Sequence, residues 1–158
     1  WSFQPIQPPK VPALSRSRRT RTPIDALLDI PLRKRGLGLA PDADRVVLLR
    51  RVHLDLTGLP PTPADVDAFL KDRAPDAYER LVDRLLDSPQ YGERWGRHWL
   101  DIAGYADSDG YSDADPVRPF AYKYRDYVIR SFNQNKPFDR FTLEQVAGDL
   151  LPDSDQEA

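Results

Sequence analysis

The motif Thr-Pro-x-Asp occurs twice, at Thr22-Pro23-Ile24-Asp25 and Thr62-Pro63-Ala64-Asp65. Each copy specifies a helix start. The threonine oxygen can accept the third helical N–H. Proline suits the first helical position, where its missing donor would have no partner. An acid in the first turn complements the helix dipole. Ser88-Pro89 repeats the start without the acid. Asp76-x-x-Glu79 resembles a capping box. So does Thr142-x-x-Gln145, with Phe141 and Val146 placed as a hydrophobic staple. No segment alternates with period two over a useful length, so strands are not supported. The expected fold is all-α: an irregular multi-helix bundle with short Pro-rich turns.

The predicted helices cover 24–35, 43–57, 63–72, 77–87, 89–104, 119–134 and 143–151, with ends good to about 2–4 residues. Pro31 should kink or split the first. Gly36 and Gly58 sit where left-handed caps belong. Leu48, Val52 and Leu56 give the second helix an apolar stripe, as Tyr78, Leu81, Leu85 and Leu86 do the fourth. The helix over 119–134 carries Phe120, Tyr122, Tyr124, Tyr127 and Phe132. Aromatics on both of its sides predict burial between two layers.

Residues 1–21 form an extended arm. Pro5, Pro8, Pro9 and Pro12 favour polyproline-like backbone, and Trp1, Phe3 and Ile6 could anchor it. Arg16, Arg18, Arg19 and Arg21 then read as a solvated tail, with a docking or nucleic-acid arm as the alternative. Residues 22–158 are the helical domain. The net charge of −2 gives no drive toward nucleic acid or anionic membranes. The absence of cysteine excludes disulfides, thiolate metal sites and a Cys nucleophile within these residues. No apolar run reaches the ~18 residues of a membrane span. No signal peptide is legible and the chain starts at Trp1, which reads as a processed or excised piece.

Chemistry concentrates in Ser88–Tyr111. On a helix, steps of three and four place Tyr91, Arg94, His98, Asp101 and Tyr105 on one face, with Trp95, Trp99 and Ile102 beside them. Arg97 and Asp101 are an i, i+4 pair. A carboxylate and a cation beside His98 can hold one tautomer, as a general base or an axial ligand requires. The competing reading makes His98 a hydrogen-bonded histidine at a helix–helix contact and the tryptophans core. His53 is the other imidazole, and only a tertiary contact could bring the two together.

The acidic loop follows. Asp107, Asp109 and Asp113 flank Gly110, with Asp115 beyond. Hard cations want several oxygens on a loop that folds around them, so these carboxylates are a candidate calcium site. Against an EF-hand loop the match is degraded: Tyr105 holds the first place and no Glu closes it. The alternative is a solvated Asp/Ser/Gly turn. Asp101 and Asp107, with Asp126 and Asp149, could supply paired carboxylates for acid–base or glycosidic chemistry. No phosphate loop, dinucleotide fingerprint or nucleophile elbow is present.

The ordered motifs then resemble one family. They are Asp55-Leu-Thr-Gly-Leu-Pro-Pro-Thr-Pro63, Tyr78-Glu-Arg-Leu-Val-Asp-Arg-Leu-Leu86 and Ser88-Pro-x-Tyr-Gly-Glu-Arg-Trp-x-Arg-His-Trp-Leu-Asp101. Tyr105-Ala-Asp-Ser-x-Gly-Tyr111, Tyr124-Arg-Asp-Tyr-Val-Ile129, Asn135-Lys-Pro-Phe-Asp139 and Gln145-x-Ala-Gly-Asp-Leu150 continue the series. The chain resembles the planctomycetal cytochrome-associated domain of unknown function (PSCyt-type). The resemblance implies a large exported protein, periplasmic or extracellular. Such proteins often carry an N-terminal c-type cytochrome domain and a second uncharacterised domain, and often occur near polysaccharide-degrading systems. It implies no catalytic residue, because no activity is established for the domain. It also implies that the domain continues past Ala158. Without Cys-x-x-Cys-His, haem would enter only through another domain.

Three functions follow as expectations. The first is a structural or interaction module whose partners are other domains or chains of the same large protein. The second is an enzyme on an extracellular polysaccharide or sugar, with His98, Asp101 and Asp107 in its site. The third is an electron-transfer accessory, with Trp95, His98, Trp99 and Tyr105 beside a haem of another domain.

Overall fold

The computed structural model describes residues 3–5, 7–13, 20–110 and 113–151. The arm residues Trp1, Ile6, Arg16, Arg18 and Arg19 and the 152–158 segment lie outside the described residues. The chain divides into two compact units, Trp1–Asp44 and Arg45–Ala158. Among the described residues it is all-α, as the sequence predicts. Seven α-helices are followed by one 3-10 turn, and a single bridge, Ser108–Val117, is the only β pairing.

The first unit contains α1 (Pro23–Lys34). Its Thr22 cap forms as read: the Asp25 N–H donates to Thr22 Oγ1 at 3.2 Å, and the Thr22 N–H to Asp25 at 2.8 Å. Pro31 does not split the helix. It falls in the last turns, where few bonds remain to lose, and the Asp29–Arg33 ion pair at 2.7 Å spans it. Gly36 then takes φ +68° to end the element.

The second unit holds α2 (Arg45–Thr57), α3 (Pro63–Lys71), α4 (Ala77–Leu86), α5 (Pro89–Ile102), α6 (Ala121–Asn133), α7 (Phe138–Ala147) and the turn Gly148–Leu150. Thr62 and Asp65 complete the second reciprocal cap. Gly58 takes φ +72° as the expected left-handed cap of α2, but the other predicted N-terminal caps do not form. Asp76 pairs with Arg80 instead of capping. The Ser88 hydroxyl donates to the Leu85 carbonyl at 2.8 Å. α7 begins five residues earlier than its expected start at 143, after Pro137. Thr142 therefore lies inside the helix and its hydroxyl donates to the Phe138 carbonyl at 2.8 Å, an alternative always open to Thr.

Two cores result. α2 packs on α3 and α4 around Leu49, Val52, Phe69, Ala77, Leu81 and Leu85. Leu49, absent from the stripe read in sequence, is fully buried, whereas Leu86 and Tyr78 are exposed. The other core joins α5, α6 and α7 through Tyr127, Val128 and Phe141, with Trp99, Leu100, Tyr124 and Phe132 packed around them. α6 is buried on one side only. Phe120 precedes it and is exposed, as is Tyr122, so the two-layer burial expected for this helix does not occur.

Candidate functional site

Two glycines decide which face of α5 turns outward. Gly92 and Gly96 are the buried residues of the helix. A Cβ on Gly92 would lie 2.5 Å from the Ile129 carbonyl and 2.5 Å from Asn133 Oδ1; on Gly96 it would touch Val128 and Ile129. Asn133 uses the gap, accepting the Gly92 N–H at 2.7 Å and donating to the Pro89 carbonyl at 3.2 Å. With this seam against α6, the face carrying Trp95, His98 and Ile102 points to solvent.

His98 is accordingly exposed. Its neighbour is the Trp95 ring, 5.4 Å between centroids, and Trp95 is itself 37% exposed. Neither is core. No hydrogen bond to another described residue holds His98, and Asp101 is exposed without the expected Arg97 ion pair. His53 lies in the aliphatic core, buried, and among the described residues its Nε2 has no partner. Its desolvation lowers its pKa, and the Asp65 carboxylate opposes that only in part. Among the described residues no three His, Cys, Asp or Glu side chains converge as metal ligands.

Trp99 points the other way. Its Nε1 donates to the Tyr124 hydroxyl at 2.9 Å, which donates to Gln145 Oε1 at 2.6 Å. Next to this chain the Tyr127 hydroxyl donates to Glu144 at 2.7 Å. Lys136 sits over the Tyr127 ring at 4.7 Å and also bonds Glu144, as does Arg140 at 2.7 Å. Lys136, the Tyr127 hydroxyl and Arg140 hold the Glu144 carboxyl down to about 2. Burial and the adjacent carboxylate push the Tyr127 phenol up to about 12. Sequence reading missed Lys136, Glu144 and Gln145. Each sits in ordinary polar surroundings in the chain, and only α7's docking converges them.

α5 ends in a left-handed cap. Gly104 has φ +66°, and the Tyr105 N–H reaches back to the Leu100 carbonyl at 3.0 Å. This turns Tyr105 into the loop. Its hydroxyl donates to Asp107 at 2.5 Å, and burial, then Asp107, raises its pKa. The loop folds on itself. The Arg118 N–H donates to the Asp107 carbonyl at 2.8 Å and the Asp109 N–H to the Pro116 carbonyl at 3.2 Å. The Gly110 N–H donates to Asp115 at 2.7 Å, and Arg118 Nε donates to Asp109 at 2.8 Å. Asp107 and Asp109 are thus engaged one by one, while Asp113 is exposed. The Tyr105 hydroxyl and the Arg118 guanidinium each occupy one carboxylate oxygen, Oδ1 of Asp107 and of Asp109. Asp126 pairs with Arg125 at 3.0 Å, and both Asp107 and Asp126 act electrostatically on Tyr105 and Arg125, while Asp149 is exposed on the 3-10 turn.

An open hollow of about 530 Å³ separates this loop from the start of α6. Tyr105, Phe120 and Tyr124 supply aromatic walls, and Val117, Asp109 and Arg118 complete them. That volume suits a small ligand or one docked side chain. Among the described residues, no helix is long and apolar enough to cross a membrane.

A family model described as PSCyt2, protein of unknown function (DUF1549), matches residues 23–158. No curated protein and no solved structure matches the chain.

Proposed function

This chain belongs to the PSCyt2 family of proteins of unknown function (DUF1549), and on that premise we propose that it is an interaction module of an exported, cytochrome-associated protein. Its task is to seat another domain of the same polypeptide, and the c-type cytochrome domain implied by the resemblance is the first candidate. One observation carries this reading. Ile102, Val117, Phe120, Phe138, Val146 and Leu150 are each between 71% and 80% exposed. Between Arg45 and Asp101 no large apolar side chain is so exposed. Isolated exposed apolar residues are ordinary, and six of them within residues 102–150 support a docking surface in that part of the chain. Covering it would remove apolar area from water without any rearrangement of the cores.

The test is co-elution and calorimetry of this chain with a separately expressed c-type cytochrome domain of the family. The wild type should bind. Val117→Ser and Phe138→Ser, both at exposed positions, should keep the helical spectrum and weaken binding by roughly tenfold together, about 1.4 kcal/mol. No binding by the wild type, or equal binding by both variants, would sink the proposal.

A further inference from the structure

We infer that the hollow between the 103–110 loop and α6 is a receptor for an arginine side chain presented by the docked partner; this rests on the interaction-module reading and specifies its chemistry. The molecule already recognises cations twice by one device, a ring face combined with oxygen acceptors. Arg45 stacks over Phe69 at 4.1 Å and donates to the Phe69 and Asp72 carbonyls. Lys136 stacks over Tyr127 and donates to Glu144. The hollow offers the same parts: the rings of Tyr105, Phe120 and Tyr124, and the carboxylate of Asp109. Two cations of the chain already touch it. Lys123 lies 6.0 Å from the Phe120 centroid, and Arg118 holds Asp109 from the loop.

The stretch of chain that supplies the hollow is acidic. From Asp101 to Asp126 there are six aspartates, Asp101, Asp107, Asp109, Asp113, Asp115 and Asp126, against Arg118, Lys123 and Arg125. Arginine fits better than lysine because a planar guanidinium stacks on rings while its N–H fork meets a carboxylate. Both Asp109 and Arg118 are about half exposed, so their pair is weak and exchangeable. An incoming guanidinium can replace Arg118 on Asp109 with no other bond broken, since the Arg118 backbone N–H keeps its hold on Asp107.

The probe is a short capped peptide with one arginine, compared with the same peptide carrying citrulline, which has the shape without the charge. Ring NMR signals of Tyr105, Phe120 and Tyr124 should move saturably with the arginine peptide and not with the citrulline one. Phe120→Ala should weaken binding about two- to fivefold, and Asp109→Asn should weaken it by a similar factor. Arg118→Gln should tighten it, because the internal competitor is gone. A role for Arg118 in merely shaping the loop predicts the opposite sign. Equal responses to both peptides, or a weakened Arg118→Gln variant with an unchanged helical spectrum, would overturn the inference. If the cytochrome domain docks but the arginine peptide moves no ring signal, only the inference fails. If the peptide binds and no domain docks, the interaction-module reading fails instead.

Discussion

The aliphatic core of α2–α4 and the aromatic core of α5–α7 solve the same packing problem differently. The first is filled by Leu49, Val52, Leu81 and Leu85 around Phe69, and its polar contacts run along its edge, such as Arg84–Asp65 at 2.9 Å. The second is built from rings with polar ends: Trp99, Tyr124 and Tyr127 all donate to partners inside the assembly. Phe141 is its hub, with ring centroids 4.8 Å from Trp99, 5.8 Å from Tyr127 and 6.3 Å from Phe132. Volume filling closes a core completely. Rings fixed by hydrogen bonds hold their geometry with one side open, and the hollow lies on that side.

The strongest test of this contrast removes each hub. Phe141→Ala should cost about 3–5 kcal/mol and Leu49→Ala about 2–5 kcal/mol in denaturant unfolding. The difference lies in the aftermath. Near-ultraviolet circular dichroism of Phe141→Ala should lose the tryptophan and tyrosine bands, while Leu49→Ala, if still folded, keeps them. Identical near-ultraviolet losses in both would dissolve the distinction between the cores.

Next in size is the glycine seam. Gly92→Ala forces a Cβ against the Ile129 carbonyl, and overpacking of this kind costs about 1–3 kcal/mol. Gly96→Ala meets side-chain carbons at 3.4–3.5 Å, which can give, and the Ile129 Cα only at an ordinary 3.7 Å. It should cost clearly less, and added helix propensity offsets part of it. Equal costs at both positions would show that α6 is not fitted to Gly92.

These positions also show how far the sequence could be read. The caps at Thr22 and Thr62 were legible because every atom involved lies within four residues. Thr142 has the same local signature and serves inside a helix, because the choice is made by Pro137 and by Phe141 entering the core. The orientation of α5 was not legible. Tryptophans outweigh glycines in any apolar pattern, yet Gly92 and Gly96 set the buried face by what they lack. That places His98 and Trp95 outside. Tyr105 with Asp107, though unread, was within reach of local reasoning, because only Ala106 separates them. Lys136 with Glu144 was not, because only tertiary packing identifies their shared partner, Tyr127.

A third comparison is electrostatic. Glu144 is held to about 2 from an ordinary 4.5. Its folded pKa is depressed, so its contribution is present above pH 4.5 and is lost as pH falls toward about 2. Glu144→Gln should cost about 1–2 kcal/mol at pH 7, discounted for its partial exposure, and should flatten that acid limb. Asp65, also held to about 2, by Thr62 and then Arg84, should keep the aliphatic half of the same limb. An unchanged acid limb in Glu144→Gln would mean that its ion pairs contribute nothing to stability.

The smallest effect separates the halves at milder pH. His53 is buried in the aliphatic core, and burial lowers its pKa from 6.5, with Asp65 opposing and Arg84 reinforcing. A histidine depressed in the folded state binds fewer protons there than in the unfolded chain. Its contribution is complete above pH 6.5 and declines as pH falls below that value. Nothing in the aromatic core titrates this way, so the decline belongs to α2–α4. His53→Leu fills the site without a charge and removes the unpartnered Nε2. The variant should be at least as stable as the wild type at pH 7. It should also lose the slope of stability against pH just below 6.5. Denaturant midpoints in half-unit steps from pH 7.5 to 5 resolve it. A wild-type slope that survives in His53→Leu would assign the proton uptake elsewhere and remove the pH difference between the two cores.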